Sequence, residues 1–147
     1  IKGLDGESKM SKSLGNTVGI LADEEAVWER VQKAVTDPQR VRRDDPGRPE
    51  VCNVFTLHEL VTDASLIPDI ETQCRAGTRG CVDCKRIFAD SLVREFAPFR
   101  ERAEYLRAHP EEVRGVLEAG ADRARSVARE TLAEARSRMG ISWRSAL

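Results

Sequence analysis

From Pro110 to Gly140 the apolar residues recur at steps of three and four, and that period commits the end of the chain to helix. Val113, Val116, Leu117, Ala121, Ala124, Val127, Ala128, Leu132, Ala135 and Met139 form one stripe. Arg114, Glu118, Asp122, Arg125, Arg129 and Arg136 lie opposite. Pro110 suits a first helical position, Glu111 and Glu112 follow where the helix dipole favours acids, and Gly140 is placed as the stop. The alanines allow close helix approach, so the stripe is expected to be core. A second long helix is expected over 82–108, bent at Pro98. After residue 22 there is almost no strand pattern, no repeat and no low-complexity tract. The chain reads as mostly α.

The middle of the chain carries its own punctuation. Asp23 is a good N-cap, with Glu24 and Glu25 in the first turn. Val27, Trp28, Val31 and Val35 share a helical face, and this helix should stop before Pro38. Residues 36–50 form a polar loop with Pro38, Pro46 and Pro49. Pro49 suits the first turn of a helix whose apolar face holds Val51, Val54, Phe55, Leu57 and Val61. Asp63 opens a weaker helical segment that Pro68 is expected to interrupt, and Gly77 to Gly80 reads as a tight turn. At 147 residues the chain can bury one sizeable core, which suggests one domain plus a fragment.

Near the start stands Lys9-Met10-Ser11-Lys12-Ser13, framed by Gly3-Leu4-Asp5-Gly6 and Leu14-Gly15-Asn16. Two ammonium groups, two hydroxyls and flanking glycines suit a polyphosphate whose charge must be stabilised as it departs. The plain alternative is a surface turn.

This string resembles the signature loop of class I aminoacyl-tRNA synthetases, and its surroundings resemble the tryptophanyl members. Thr36-Asp37, the run from Asp45 to Phe55, Gly80-Cys81-Val82-Asp83-Cys84-Lys85, Ala97-Pro98 and Gly120-Ala121 continue the likeness over nearly the whole chain. The resemblance implies a mostly α chain: a C-terminal helical bundle of the anticodon-binding type over 23–147, preceded over 1–22 by the end of a Rossmann-like α/β catalytic domain. With no initiator methionine and the loop nine residues in, the chain is expected to be a C-terminal portion. The implied partners are ATP with Mg2+, tryptophan and tRNA(Trp), with the full-length enzyme a homodimer. These 147 residues alone are expected to be monomeric, marginally folded and inactive. Lys9 and Lys12 become the expected catalytic cations, with Met10, Ser11 and Ser13 completing the ATP-binding set. Gly6 and Gly15 would let the loop move.

All four cysteines, Cys52, Cys74, Cys81 and Cys84, fall in one 33-residue window, with gaps of 21, 6 and 2. The last pair opens a helix, where dipole and free N–H groups favour thiolate. Four thiolates suit tetrahedral zinc or an iron–sulfur cluster. Unligated buried thiols and a disulfide are the alternatives. The resemblance favours a [4Fe–4S] cluster near the anticodon-reading region, because the spacing from Cys74 onward follows that of some tryptophanyl enzymes; zinc is the runner-up.

Around the cysteines, Arg75, Arg79, Lys85 and Arg86 face only Asp83, a local excess of three positive charges that suits tRNA. Arg40, Arg42, Arg43 and Arg48 are balanced by Asp37, Asp44, Asp45 and Glu50. The net charge of −1 provides no long-range attraction for RNA. His58 reads as a satisfied structural histidine, His109 as a helix-entry residue, and Trp28 and Trp143 as packing groups. No 18-residue apolar run or signal-peptide pattern occurs, so a cytoplasmic protein is expected. A non-catalytic, metal-stabilised helical RNA-binding module is the competing reading; it has no need of Lys9 and Lys12 at their spacing.

Overall fold

Asp23 starts the first helix as its chemistry requires, its carboxylate accepting the Ala26 amide at 2.8 Å. The computed structural model describes residues 1–141. Its helices are α1 (Glu24–Val31), α2 (Asn53–Val61), α3 (Ile67–Arg75), α4 (Cys81–Ala108) and α5 (Pro110–Arg138), with a 3₁₀ turn at Pro49–Val51 before α2. Among the described residues there is no strand, only an isolated antiparallel bridge between Lys2 and Lys9. Trp143 lies outside the described residues. The mostly α expectation therefore holds.

The chain divides into two compact units, Ile1–Arg102 and the residues from Ala103 onward. In the first, Val27 and Val31 of α1, Val54 and Leu57 of α2, Ile70 of α3, and Phe88 and Leu92 of α4 form one buried cluster with Leu4. Each such side chain contributes roughly 1.5–3 kcal/mol relative to exposure. Helix α1 ends sooner than Pro38 requires. The Val35 amide goes instead to the Leu4 carbonyl at 2.9 Å, and the Val35 side chain is left exposed. Pro68 does not interrupt a helix; it sits in the first turn of α3, where a missing N–H costs nothing.

In the second unit α5 begins at Pro110 and closes as expected. Gly140 adopts φ +68°, and the Ile141 amide returns to the Arg136 carbonyl at 3.0 Å. The expected burial of its stripe does not occur: no residue of α5 is buried, and Val116 and Leu117 are 73% and 67% exposed. Within this unit, the described residues besides α5 are the end of α4, His109 and the chain past Arg138. His109 stacks on Tyr105, whose hydroxyl bonds Glu112.

Candidate nucleotide loop and thiol cluster

The loop that carries Lys9 and Lys12 is organised from beneath by one buried residue, Asn16. Its Oδ1 accepts the Ser11 amide at 2.7 Å, and its Nδ2 donates to Asp5 Oδ2 at 2.8 Å and to the Lys9 carbonyl at 3.3 Å. Asp5 Oδ1 in turn accepts the amides of Glu7 and Ser8. The bond from Asn16, helped by those amides, holds the Asp5 carboxyl below its ordinary range. Gly6 and Gly15 turn the chain at φ +72° and +64°. Asn53, the first residue of α2, donates to the Gly3 carbonyl at 2.8 Å and so ties the loop to the helical unit.

Lys9, Lys12 and Ser13 are exposed, whereas Met10 and Ser11 are half-buried. The Ser11 and Ser13 hydroxyls lie 2.8 Å apart. The five residues thus present two cations and a hydroxyl pair above a hydrogen-bonded base. In the sequence Asn16 and Asp5 are no more than flanks of the loop. Their role rests on bonds across 5 to 11 residues, which no periodic pattern displays.

The four cysteines come from separate elements. Cys52 precedes α2, Cys74 lies in the last turn of α3, and Cys81 and Cys84 lie in the first turn of α4. Each of their six pairs is close enough for one thiolate's charge to raise the other's pKa. Burial is the larger cause: it raises Cys52 and Cys74 and, with the neighbouring sulfurs, pushes Cys84 up to about 12. Amides of Phe55, Val54 and Asp37 favour the Cys52 thiolate without outweighing burial. Among the described residues, however, no three His, Cys, Asp or Glu side chains stand at the spacing of one bound ion. The thiols share a neighbourhood without forming a ready single-ion site.

Cationic groups surround them. Arg40 Nη1 lies 3.8 Å from Cys74 Sγ, while its Nη2 donates to the carbonyls of Arg43 and Arg79. Arg40 and Arg79 each leave a buried Nε without a partner. A Cβ at Gly47 would meet Cys74 Sγ at 2.5 Å, so only glycine fits beside that sulfur. A cleft of about 400 Å³ reaches Cys81 between Arg40, Arg43 and Asp83. His58, fully buried as expected of a structural histidine, is pushed down to about 4 by burial and stays neutral.

The expected RNA-facing cations have partners within the chain. Arg75 pairs with Glu71 at 2.8 Å and Glu50 at 3.1 Å, and Arg79 with Asp69 at 2.9 Å. Lys85 donates to the Gln32 carbonyl at 2.8 Å, and the Arg86 guanidinium lies 3.5 Å over the Trp28 ring. The local excess of charge in the sequence is therefore partly met by acids from other segments. Trp28 packs, as expected, against the core.

The comparisons agree with this architecture. The chain is 41% identical to the tryptophan–tRNA ligase of Deinococcus radiodurans over 96% of its own length and 43% of the relative's. The corresponding figures for the Aquifex aeolicus tryptophan–tRNA ligase are 44%, 96% and 36%. A crystal structure of tryptophanyl-tRNA synthetase from Campylobacter jejuni, complexed with ADP and tryptophan, superposes with a TM-score of 0.83 at 29% identity, covering 94% of this chain and 42% of that one. The chain thus spans less than half the length of these relatives. The family model described as tRNA synthetases class I (W and Y) matches residues 1–97, and the chain belongs to that family.

Proposed function

We propose that this chain is the C-terminal part of a tryptophan–tRNA ligase. The carrying observation is the Asn16-supported loop, which presents Lys9 and Lys12 to solvent in a chain about 40% identical to such ligases. In the full-length enzyme the tryptophan carboxylate attacks the α-phosphorus of ATP, bound with Mg2+, and pyrophosphate leaves. The acyl group then passes to the terminal ribose of tRNA(Trp). Lys9 and Lys12 bind the leaving pyrophosphate more tightly as its charge grows, which lowers the barrier. Ser11 and Ser13 donate to phosphate oxygens, and half-buried Met10 anchors the loop. Residues 1–22 close the catalytic domain and 23–147 build the helical anticodon-binding part of a cytoplasmic homodimer. No helix among the described residues is long and apolar enough to cross a membrane.

In the full-length enzyme Lys12→Ala should slow adenylate formation by roughly 10²–10³, with much less effect on ground-state ATP affinity. Pyrophosphate exchange at the wild-type rate in that variant would remove the mechanism.

Cys52, Cys74, Cys81 and Cys84 fit a metal group by their convergence and by the unpartnered Nε donors of Arg40 and Arg79 nearby. A [4Fe–4S] cluster is the better candidate. The spacing from Cys74 onward, gaps of six and two, supports this preference through its likeness to some tryptophanyl enzymes, and tetrahedral zinc is the runner-up. When bound, the cluster supplies structural cross-linking of α2, α3 and α4. Exposed Arg75 and Arg86 then face the anticodon, whereas half-buried Arg79 and Lys85 shape the surface behind them. Anaerobic metal analysis tests this: four irons per chain support the cluster, and stoichiometric zinc without iron rejects it.

A further inference from the structure

His58 touches the thiol cluster through geometry that fixes its proton. Its Nδ1 lies 2.8 Å from Thr62 Oγ1, one helical turn along α2. Its Nε2 lies 3.2 Å from the Cys84 carbonyl oxygen and 3.3 Å from Cys84 Sγ. A carbonyl oxygen only accepts, so Nε2 carries the hydrogen. Nδ1 then holds the lone pair, and the Thr62 hydroxyl donates to it. Thr62 is itself buried, and the Phe88 ring, one turn beyond Cys84 on α4, tilts against the imidazole with centroids 5.3 Å apart. The ring is fully buried between these contacts, and its N–H faces both the carbonyl and the sulfur of Cys84.

We propose that His58 is a positioning residue for the metal group, its Nε2–H held toward Cys84 Sγ by Thr62 so that the sulfur is steadied as a thiolate ligand. This rests on the reading of the four cysteines as a metal site. A neutral donor compensates the anion without adding a second buried charge, and hydrogen bonds to ionised acceptors are the stronger kind. Outer partners of this sort alter metal retention by about 10–100-fold. The role differs from that of Arg40, whose contact with Cys74 is longer and cationic.

The test uses the full-length protein, loaded anaerobically with iron and sulfide in one arm and with zinc in the other. Release to a chelator is timed for the wild type and for Thr62→Val, His58→Leu and His58→Gln. Release should be about 3–10-fold faster in Thr62→Val and 10–100-fold faster in His58→Leu, while His58→Gln, which keeps an N–H donor, recovers most of the loss. Nitrogen chemical shifts of the zinc-loaded protein should show Nε2 protonated and Nδ1 bare. If His58→Leu does not fold, Thr62→Val, His58→Gln and the shifts decide the matter. Wild-type retention in Thr62→Val together with a proton on Nδ1 overturns the inference, as does equal loss in His58→Gln and His58→Leu, which marks packing alone. A wild type that loads neither iron nor zinc sinks the metal reading, and this inference with it.

Discussion

Asp37 shows what a single residue can hide. In the sequence it is one of four acids balancing four arginines, but in the fold its side chain is 4% exposed and accepts Arg48 Nη2 at 2.6 Å and Nε at 3.0 Å. The amides of Gln39 and Arg48 add to this. The Arg48 guanidinium, with those amides, holds the Asp37 carboxyl far below its ordinary value of 3.8. The folded chain therefore binds fewer acid protons than the unfolded one. The resulting stability is complete above the ordinary carboxylate range and is lost as pH falls through it toward the folded value. Asp37→Asn should lower the melting temperature by about 5–10 °C at neutral pH and flatten the acid limb below about pH 4, as thermal scans across pH would register. Such partners stand 11 residues apart with no periodic relation, so composition announced the charges and not the pair.

At the scale of elements, what was legible was local. Asp23, Pro110 and Gly140 act through their own backbone or the next turn, and each stands where its chemistry placed it, whereas Pro49 opens a separate 3₁₀ turn ahead of α2 and Val51 with it stays exposed. Pro68 departs from its expected place because proline opens a helix as readily as it breaks one, and the deciding factor, where α3 meets the core through Ile70, is tertiary. Pro98 is the opposite case: it lies inside α4 and denies the Arg94 carbonyl its usual partner. Arg100 Nη2 donates at 2.5 Å to the neighbouring Val93 carbonyl, which leaves that of Arg94 uncompensated by this bond. Pro98→Ala should stabilise the helix by roughly 1–3 kcal/mol, read as a higher denaturant midpoint with an unchanged slope.

Across the whole molecule, α5 keeps the helical period of its sequence without the burial that the period suggests. Periodicity reports which residues share a face; it does not name what lies against that face. Val116, Leu117, Val127 and Met139 are each at least 67% exposed in this chain, which spans less than half of its relatives. The 147-residue chain should bind a hydrophobic dye at this stripe. Replacing Val116 and Leu117 by glutamate should abolish most of that signal without moving the unfolding of the Ile1–Arg102 unit. Loss of the core transition in that double variant would show that the stripe supports the fold. The cysteines illustrate the same division: their spacing suggested one site, and only the packing of α2, α3 and α4 decides how near the sulfurs come.

Gly3 and Asn16 are bound to a shared history. A Cβ at position 3 would fall 2.2 Å from Asn16 Nδ2, so the space that the amide needs is the space that a side chain would take. Alanine at 3 would collide with the Asn16 side chain, whose atoms are the three nearest to that Cβ, so position 3 is free to change only once position 16 has. In the full-length enzyme, Gly3→Ala should lower the melting temperature when Asn16 is present and add little further loss in an Asn16→Gly background, as thermal scans of the two single variants and the double variant would register. Independent effects at the two positions would deny that they vary as one unit.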